Sequence, residues 1–250
     1  MKRIHKLSVV LFVLTAAAFT SCSSDNEPVD PAIILNPQPD PDDPGESSGD
    51  YWPTAVNNQW IFSTDGVTQA PMKMVSVNTV AGHEYYTFNA FTGTGASSGQ
   101  TGSAVVRLRK EGGSYYLRRE EAVVAPVGGM PGSTTSGTEI VILKDNQPVN
   151  STWTESYTQS TTYTDPQFPV VSIQVNAVNK ILETGSTVVA NGVTYTDVIK
   201  TKLTQSTTFS GVTTVTTTFY WFAKDIGLVK YIMDAGGQIT TSELQSFVLN

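Results

Sequence analysis

Few side chains in this sequence are of a kind that performs chemistry, and they are scattered. It holds one cysteine, Cys22, and two histidines, His5 and His83. A Cys/His transition-metal centre needs three or four such ligands, so its donors are missing. His83 follows Gly82 in a short turn, where an imidazole reads first as a solvated turn residue and second as a general base. A Ser-His-Asp triad would have to use that same imidazole. Glu120 and Glu121 are adjacent, and neighbours on a strand point to opposite faces, which argues against a paired-carboxylate glycosidase site. Calcium stays open through carboxylates such as Asp145 or Asp225, but neither belongs to an Asp-x-Asp-x-Asp loop. No glycine motif of the phosphate-cradling kind is found, and no cofactor is implied. The reading leaves no catalytic and no metal-binding residue to name, and a hydrolase ranks third among the functions considered.

Trp52, Trp60, Trp153 and Trp221, with ten tyrosines, are the remaining handle. Aromatic rings line sugar- and lipid-binding faces, but large buried aromatics also dominate cores. The core reading carries more weight. The charge is uneven. Removing the three cations of residues 1–21 and the eight acids of residues 22–50 from the formal charge of −7 leaves residues 51–250 at −2. The acidity belongs to the N-terminal segment, and without a basic patch no nucleic-acid partner is expected.

That segment reads as an address. Lys2, Arg3 and Lys6 form a basic start, residues 7–19 are apolar, and Thr20-Ser21 lead to Cys22. The apolar run is too short for a confident membrane span. A lone cysteine directly after such a sequence resembles the lipidation site of bacterial lipoproteins, though Phe19 stands where leucine is commonest. The resemblance implies removal of residues 1–21, a diacylglyceryl group on the Cys22 sulfur and an acylated amino group, hence a membrane partner through Cys22. The alternative is an ordinary signal peptide that leaves a free thiol. In either case no disulfide forms within the chain. Ser23-Ser24-Asp25-Asn26-Glu27 resembles the short acidic signal that sends Bacteroides-type lipoproteins to the cell surface. Residues 22–50 continue with six prolines among their acids, an extended, disordered tether. Ala32-Ile33-Ile34-Leu35 is its only apolar patch.

Residues 51–250 read as one β-rich domain. Residues 57–62 suggest a first strand, 72–80 and 84–91 a pair, and 104–109 with 114–119 a hairpin across Glu111-Gly112-Gly113. Residues 92–102 and 126–137 are Gly-rich loops. Strands are expected at 139–143 and 152–163. From 171 to 181 apolar side chains fall at period two, the mark of a strand with one buried face. A hairpin turns at Asn191-Gly192. Residues 213–233 carry Phe219-Tyr220-Trp221-Phe222, a break at Lys224-Asp225-Ile226-Gly227 and a second strand. Residues 238–249 form a last strand. Roughly a dozen antiparallel strands predict a strongly curved sheet or partly open barrel, with a β-sandwich as the alternative. Thr79-Val80-Ala81-Gly82-His83-Glu84-Tyr85 echoes Val189-Ala190-Asn191-Gly192-Val193-Thr194-Tyr195, as expected of two hairpins with one turn chemistry.

The strings Tyr51-Trp52-Pro53 to Trp60, Leu143-Lys144-Asp145 to Trp153, Asn191-Gly192-Val193-Thr194-Tyr195 and Trp221-Phe222-Ala223-Lys224-Asp225-Ile226-Gly227 together resemble uncharacterised Bacteroides-type lipoproteins. The resemblance implies an envelope location, outer membrane and cell surface, and a β-rich domain, with no activity attached. Two functions stand ahead of an enzyme. One is a tethered, non-catalytic module that binds a glycan, a lipid or a protein through exposed aromatics. The other is an envelope carrier similar in shape to the lipoprotein-localisation proteins, with a dry apolar cavity.

Overall fold

The computed structural model describes residues 45–91 and 105–250. The expected lipidation site at Cys22, most of the tether and the loop at 92–102 lie outside the described residues. The described chain is all β. Its first strands are β1 (Gln59–Thr64), β2 (Val67–Thr68), β3 (Met72–Val80), β4 (His83–Phe88), β5 (Val106–Glu111), β6 (Ser114–Arg119), β7 (Ala122–Val124) and β8 (Ser133–Thr135). Then come β9 (Thr138–Lys144), β10 (Thr152–Tyr163), β11 (Val171–Ala190), β12 (Val193–Phe209), β13 (Val212–Ala223), β14 (Gly227–Ala235) and β15 (Gln238–Val248).

All fifteen belong to one antiparallel sheet in the order β7-β8-β10-β11-β12-β13-β14-β15-β1-β3-β4-β5-β6-β9, with β2 attached to β1. The path has two ends, so the sheet is not closed into a barrel. It curls nonetheless, because inward side chains from its far parts, such as Leu117 of β6 and Leu203 of β12, join one core cluster. The main strands fall where the alternating pattern places them. The additions are β2, β7 and β8, too short to show a period, and β8 falls within the loop expected at 126–137. It is held by pairing Ser133–Thr135 with the end of β10, a long-range contact. β11 runs unbroken past residue 181, absorbing register shifts between Ile181 and Val188.

The tight turns share one chemistry. Ala81-Gly82 and Asn191-Gly192 both have positive φ at both residues, 52° and 87° in the first, 47° and 78° in the second. That is the type I′ geometry, whose twist suits a hairpin, and it accounts for the sequence echo.

The hairpin of β13 and β14 is braced from the opposite end of the chain. Trp52 and Trp60 are fully buried against its turn, and the Trp60 Nε1–H donates to the Ile226 carbonyl at 2.7 Å. Trp52 lies 5.7 Å from Phe222, ring centre to ring centre. Gly227 permits this approach. Its φ is 105°, and a Cβ there would stand 3.1 Å from Trp52 Cδ1. Residues 45–50 also rest on the domain. Buried Asp145 accepts from Ser47 Oγ (2.6 Å), the Ser48 amide (3.0 Å) and the Tyr115 hydroxyl (3.0 Å).

Gly227→Ala should cost about 2 kcal/mol or more through its φ and the crowding of Trp52, lowering Tm by roughly 4–8 °C. Ala81→Asn places a residue that tolerates left-handed φ in an open turn and should raise Tm by roughly 1–2 °C. Thermal unfolding followed by circular dichroism checks both, and a fall in Tm for Ala81→Asn would count against the turn assignment.

Candidate functional site: the seam between β9 and β10

An antiparallel edge strand leaves every second residue with an N–H and a C=O facing outward, and buried backbone groups need partners. Among the described residues β9 is one end of the sheet and pairs only with β6. Beyond its edge lies β10, whose backbone pairs with β11 and, at its far end, with β8. Side chains bridge the gap at Val141. The Val141 carbonyl accepts from Trp153 Nε1–H at 2.9 Å and Asn179 Nδ2–H at 3.3 Å. The Val141 amide donates to Glu155 Oε1 at 2.9 Å.

The bridging residues come from period two. Trp153, Glu155, Tyr157 and Gln159 occupy the inward face of β10, while Thr154, Ser156 and Thr158 face out. Burial pushes the Glu155 carboxyl above its ordinary range, against the opposing effects of the Val141 hydrogen bond and Lys144. Several buried polar atoms on this inner surface have no partner among the described residues: Glu155 Oε2, Gln159 Nε2, Asn179 Oδ1 and Thr201 Oγ1. Such atoms are costly unless something meets them.

Away from the Val141 bridge the seam widens into a cleft with about 80 Å³ of space. Val106, Leu117, Ile140 and Leu203 give it an apolar floor, and Arg119, Tyr157 and Gln205 supply polar groups. Tyr157 is hydrogen-bonded to Gln205, and burial raises its hydroxyl pKa while Arg119 opposes the rise. An apolar floor with a few converging polar groups is the general form of a small-molecule site.

The residues singled out in the sequence are dispersed. His83 is half-exposed on β4, its Nδ1 3.8 Å from Glu111. Glu111 in turn binds Arg109, a buried guanidinium 3.6 Å from the centre of the Tyr116 ring that also donates to Glu139 at 2.9 Å. Glu120 is held by Arg118 at 3.0 Å and Arg107 at 3.3 Å, and Glu121 is exposed. Asp145 is saturated by its serine and tyrosine donors, and Asp225 is an exposed turn residue. Gly45-Glu46-Ser47-Ser48-Gly49 has the Gly-x-Ser-x-Gly spacing of a nucleophile elbow. The Ser47 hydroxyl lies 2.6 Å from both Asp145 Oδ2 and the Gly49 carbonyl, its one proton shared between them, so it serves as a brace. A second such string, Gly95-Ala96-Ser97-Ser98-Gly99, lies outside the described residues. Among the described residues no group of three His, Cys, Asp or Glu could hold a metal ion.

Of the four tryptophans, Trp52 and Trp60 are core and Trp153 serves the seam. Trp221 is partly exposed on the outer face, with Lys200 and Lys230 at 5.2 and 5.9 Å from its ring. Sequence reasoning missed the seam because its parts alternate within one strand and meet β9 only after the sheet has curled. The one available signal was the polar character of β10's inward face.

These features define an all-β protein built on a curled, unclosed sheet, and known structures resemble it in fold. A lipoprotein-class protein from Parabacteroides distasonis superposes with a TM-score of 0.52 at 12% identity, over 81% of this chain and all of that one. A protein from Bacteroides fragilis, classed as exported and as having a YmcC-like fold, gives 0.50 at 13% identity, over 80% of this chain and all of that one. No family model matches the sequence, and no curated protein does.

Glu155 supplies a pH test. Its folded pKa is raised, so its contribution favours folding most below the ordinary value of 4.5 and is lost as pH rises through the folded pKa. Glu155→Gln keeps an acceptor for the Val141 amide without that penalty. The variant should melt higher than the parent at neutral pH, the gap closing towards pH 4. A gap independent of pH would refute the assignment.

Proposed function

We propose that this chain is a lipid-anchored protein of the bacterial outer membrane, facing outward, that binds a ligand without transforming it. The cleft at the seam carries the reading. It joins an apolar floor to converging Arg119, Tyr157 and Gln205 at a place where the sheet has no backbone closure. The Cys22 motif supports an acyl anchor, since two or more chains give stable attachment where one does not. The acidic, proline-rich residues after Cys22 support a spacer that carries the domain away from the lipid. The lipoprotein and exported classes of the two similar structures agree with an envelope location.

The carrier alternative asks for a dry, charge-free cavity. The described interior is instead filled by Trp52, Trp60, Phe62, Phe88 and Phe222, and a guanidinium lines the seam cleft. A binding module is therefore the better supported reading.

Metabolic labelling with palmitate tests the anchor. The wild-type chain should incorporate label and sediment with outer membranes, and Cys22→Ser should abolish incorporation. Proteinase K added to intact cells should digest the wild-type domain. Label retained in Cys22→Ser would refute lipidation, and protection in intact cells with digestion after lysis would refute outward display.

A further inference from the structure

Arg119 is the unusual group of the seam. It ends β6 on the inward face, opposite Thr138 of β9, and lines the cleft with Leu117, Ile140 and Leu203. The other arginines of this region are engaged. Arg109 holds Glu111 and Glu139, and Arg107 and Arg118 hold Glu120. Arg119 has no ion pair or side-chain hydrogen bond of its own among the described residues, although Glu120, Glu121 and Glu139 line the adjoining surface. Glu120 and Glu139 are committed elsewhere, and Glu121 is exposed. A half-buried guanidinium beside an apolar floor, without a carboxylate, is poised to take one from outside.

Building on the cleft as the ligand site, we propose that it binds a small monocarboxylate with an aliphatic or aromatic body. The carboxylate pairs with the Arg119 guanidinium, within reach of the polar groups of Tyr157 and Gln205. The body lies on Leu117, Ile140 and Leu203. A single cation suits one negative charge, and the neighbouring glutamates oppose a ligand with two or more. About 80 Å³ accommodates several water-sized groups, so the buried part is short, on the order of ten heavy atoms or fewer.

The test is isothermal titration calorimetry of the full chain in zwitterionic lipid nanodiscs, with empty nanodiscs as the blank. The probes are hexanoate and its neutral counterpart hexanamide. Hexanoate should bind the wild type roughly tenfold or more tighter than hexanamide, as expected for a charge-assisted pair. Arg119→Gln should reduce hexanoate to the hexanamide level and leave hexanamide unchanged. Arg118→Gln, which removes the paired arginine next to Arg119 on the opposite face of β6, should leave both unchanged. Leu203→Trp, which fills the cleft, should abolish both, and melting curves verify that each variant is folded. Equal binding of the two probes, both lost in Leu203→Trp, overturns the carboxylate assignment while the cleft remains a ligand site. Hexanoate binding that survives Leu203→Trp, or that ignores Arg119→Gln, also overturns the assignment. Failure of the wild type to bind either probe overturns the assignment and the cleft reading together.

Discussion

A sheet that curls without closing must do something with its last edge, and this requirement shapes the protein. Edge amides exposed to water invite pairing with other chains, and amides buried without partners cost free energy. β9 meets the requirement at Val141, where Trp153, Asn179 and Glu155 act as a substitute for a neighbouring strand. A side-chain bridge at Val141 links the two strands without backbone pairing along their length. The cleft is the consequence. Backbone pairing along the whole of β9 and β10 would have made a barrel with a filled interior and no such opening.

The interior behind the seam is conventional. Its large side chains come from both ends of the chain, and the contact between Trp60 and the Ile226 carbonyl links residues far apart in sequence. Rings packed around the Gly227 turn leave little room for a long apolar guest. On the proposed reading, ligand binding falls at the boundary of the core, where polar side chains are partly dry and a ligand can supply what the protein does not. Low dielectric strengthens any pair formed there and penalises any group left alone. Glu155 illustrates the penalty, and Arg119 the opportunity.

Some of this was legible in the residues themselves. Alternation of apolar and polar side chains identified most strands, because a half-buried strand is read at period two wherever it pairs. Asn191-Gly192 announced its hairpin, since few residue pairs tolerate two positive φ angles in succession, and at the other turn Gly82 alone gave the signal. β8 was not legible, because three residues carry no period and its place depends on β10. The seam was not legible either. Trp153 and Glu155 look like any inward tryptophan and any strand glutamate until their neighbour across the gap is known.

The sequence by itself determined an all-β chain, and it confined the acidity to the N-terminal segment and placed a lone cysteine after an apolar run. These are local matters of composition, spacing and turn chemistry, and they hold however the strands are arranged. Tertiary structure alone decided which strand ends the sheet, which tryptophans are core and which arginine of the seam has no acid partner among the described residues. Those outcomes depend on contacts between residues distant in the chain. Arg118 and Arg119 are the same residue type side by side, yet the strand turns one towards Glu120 and the other into the cleft. Alternation sends them to opposite faces, and only the curl of the sheet determines what each face meets.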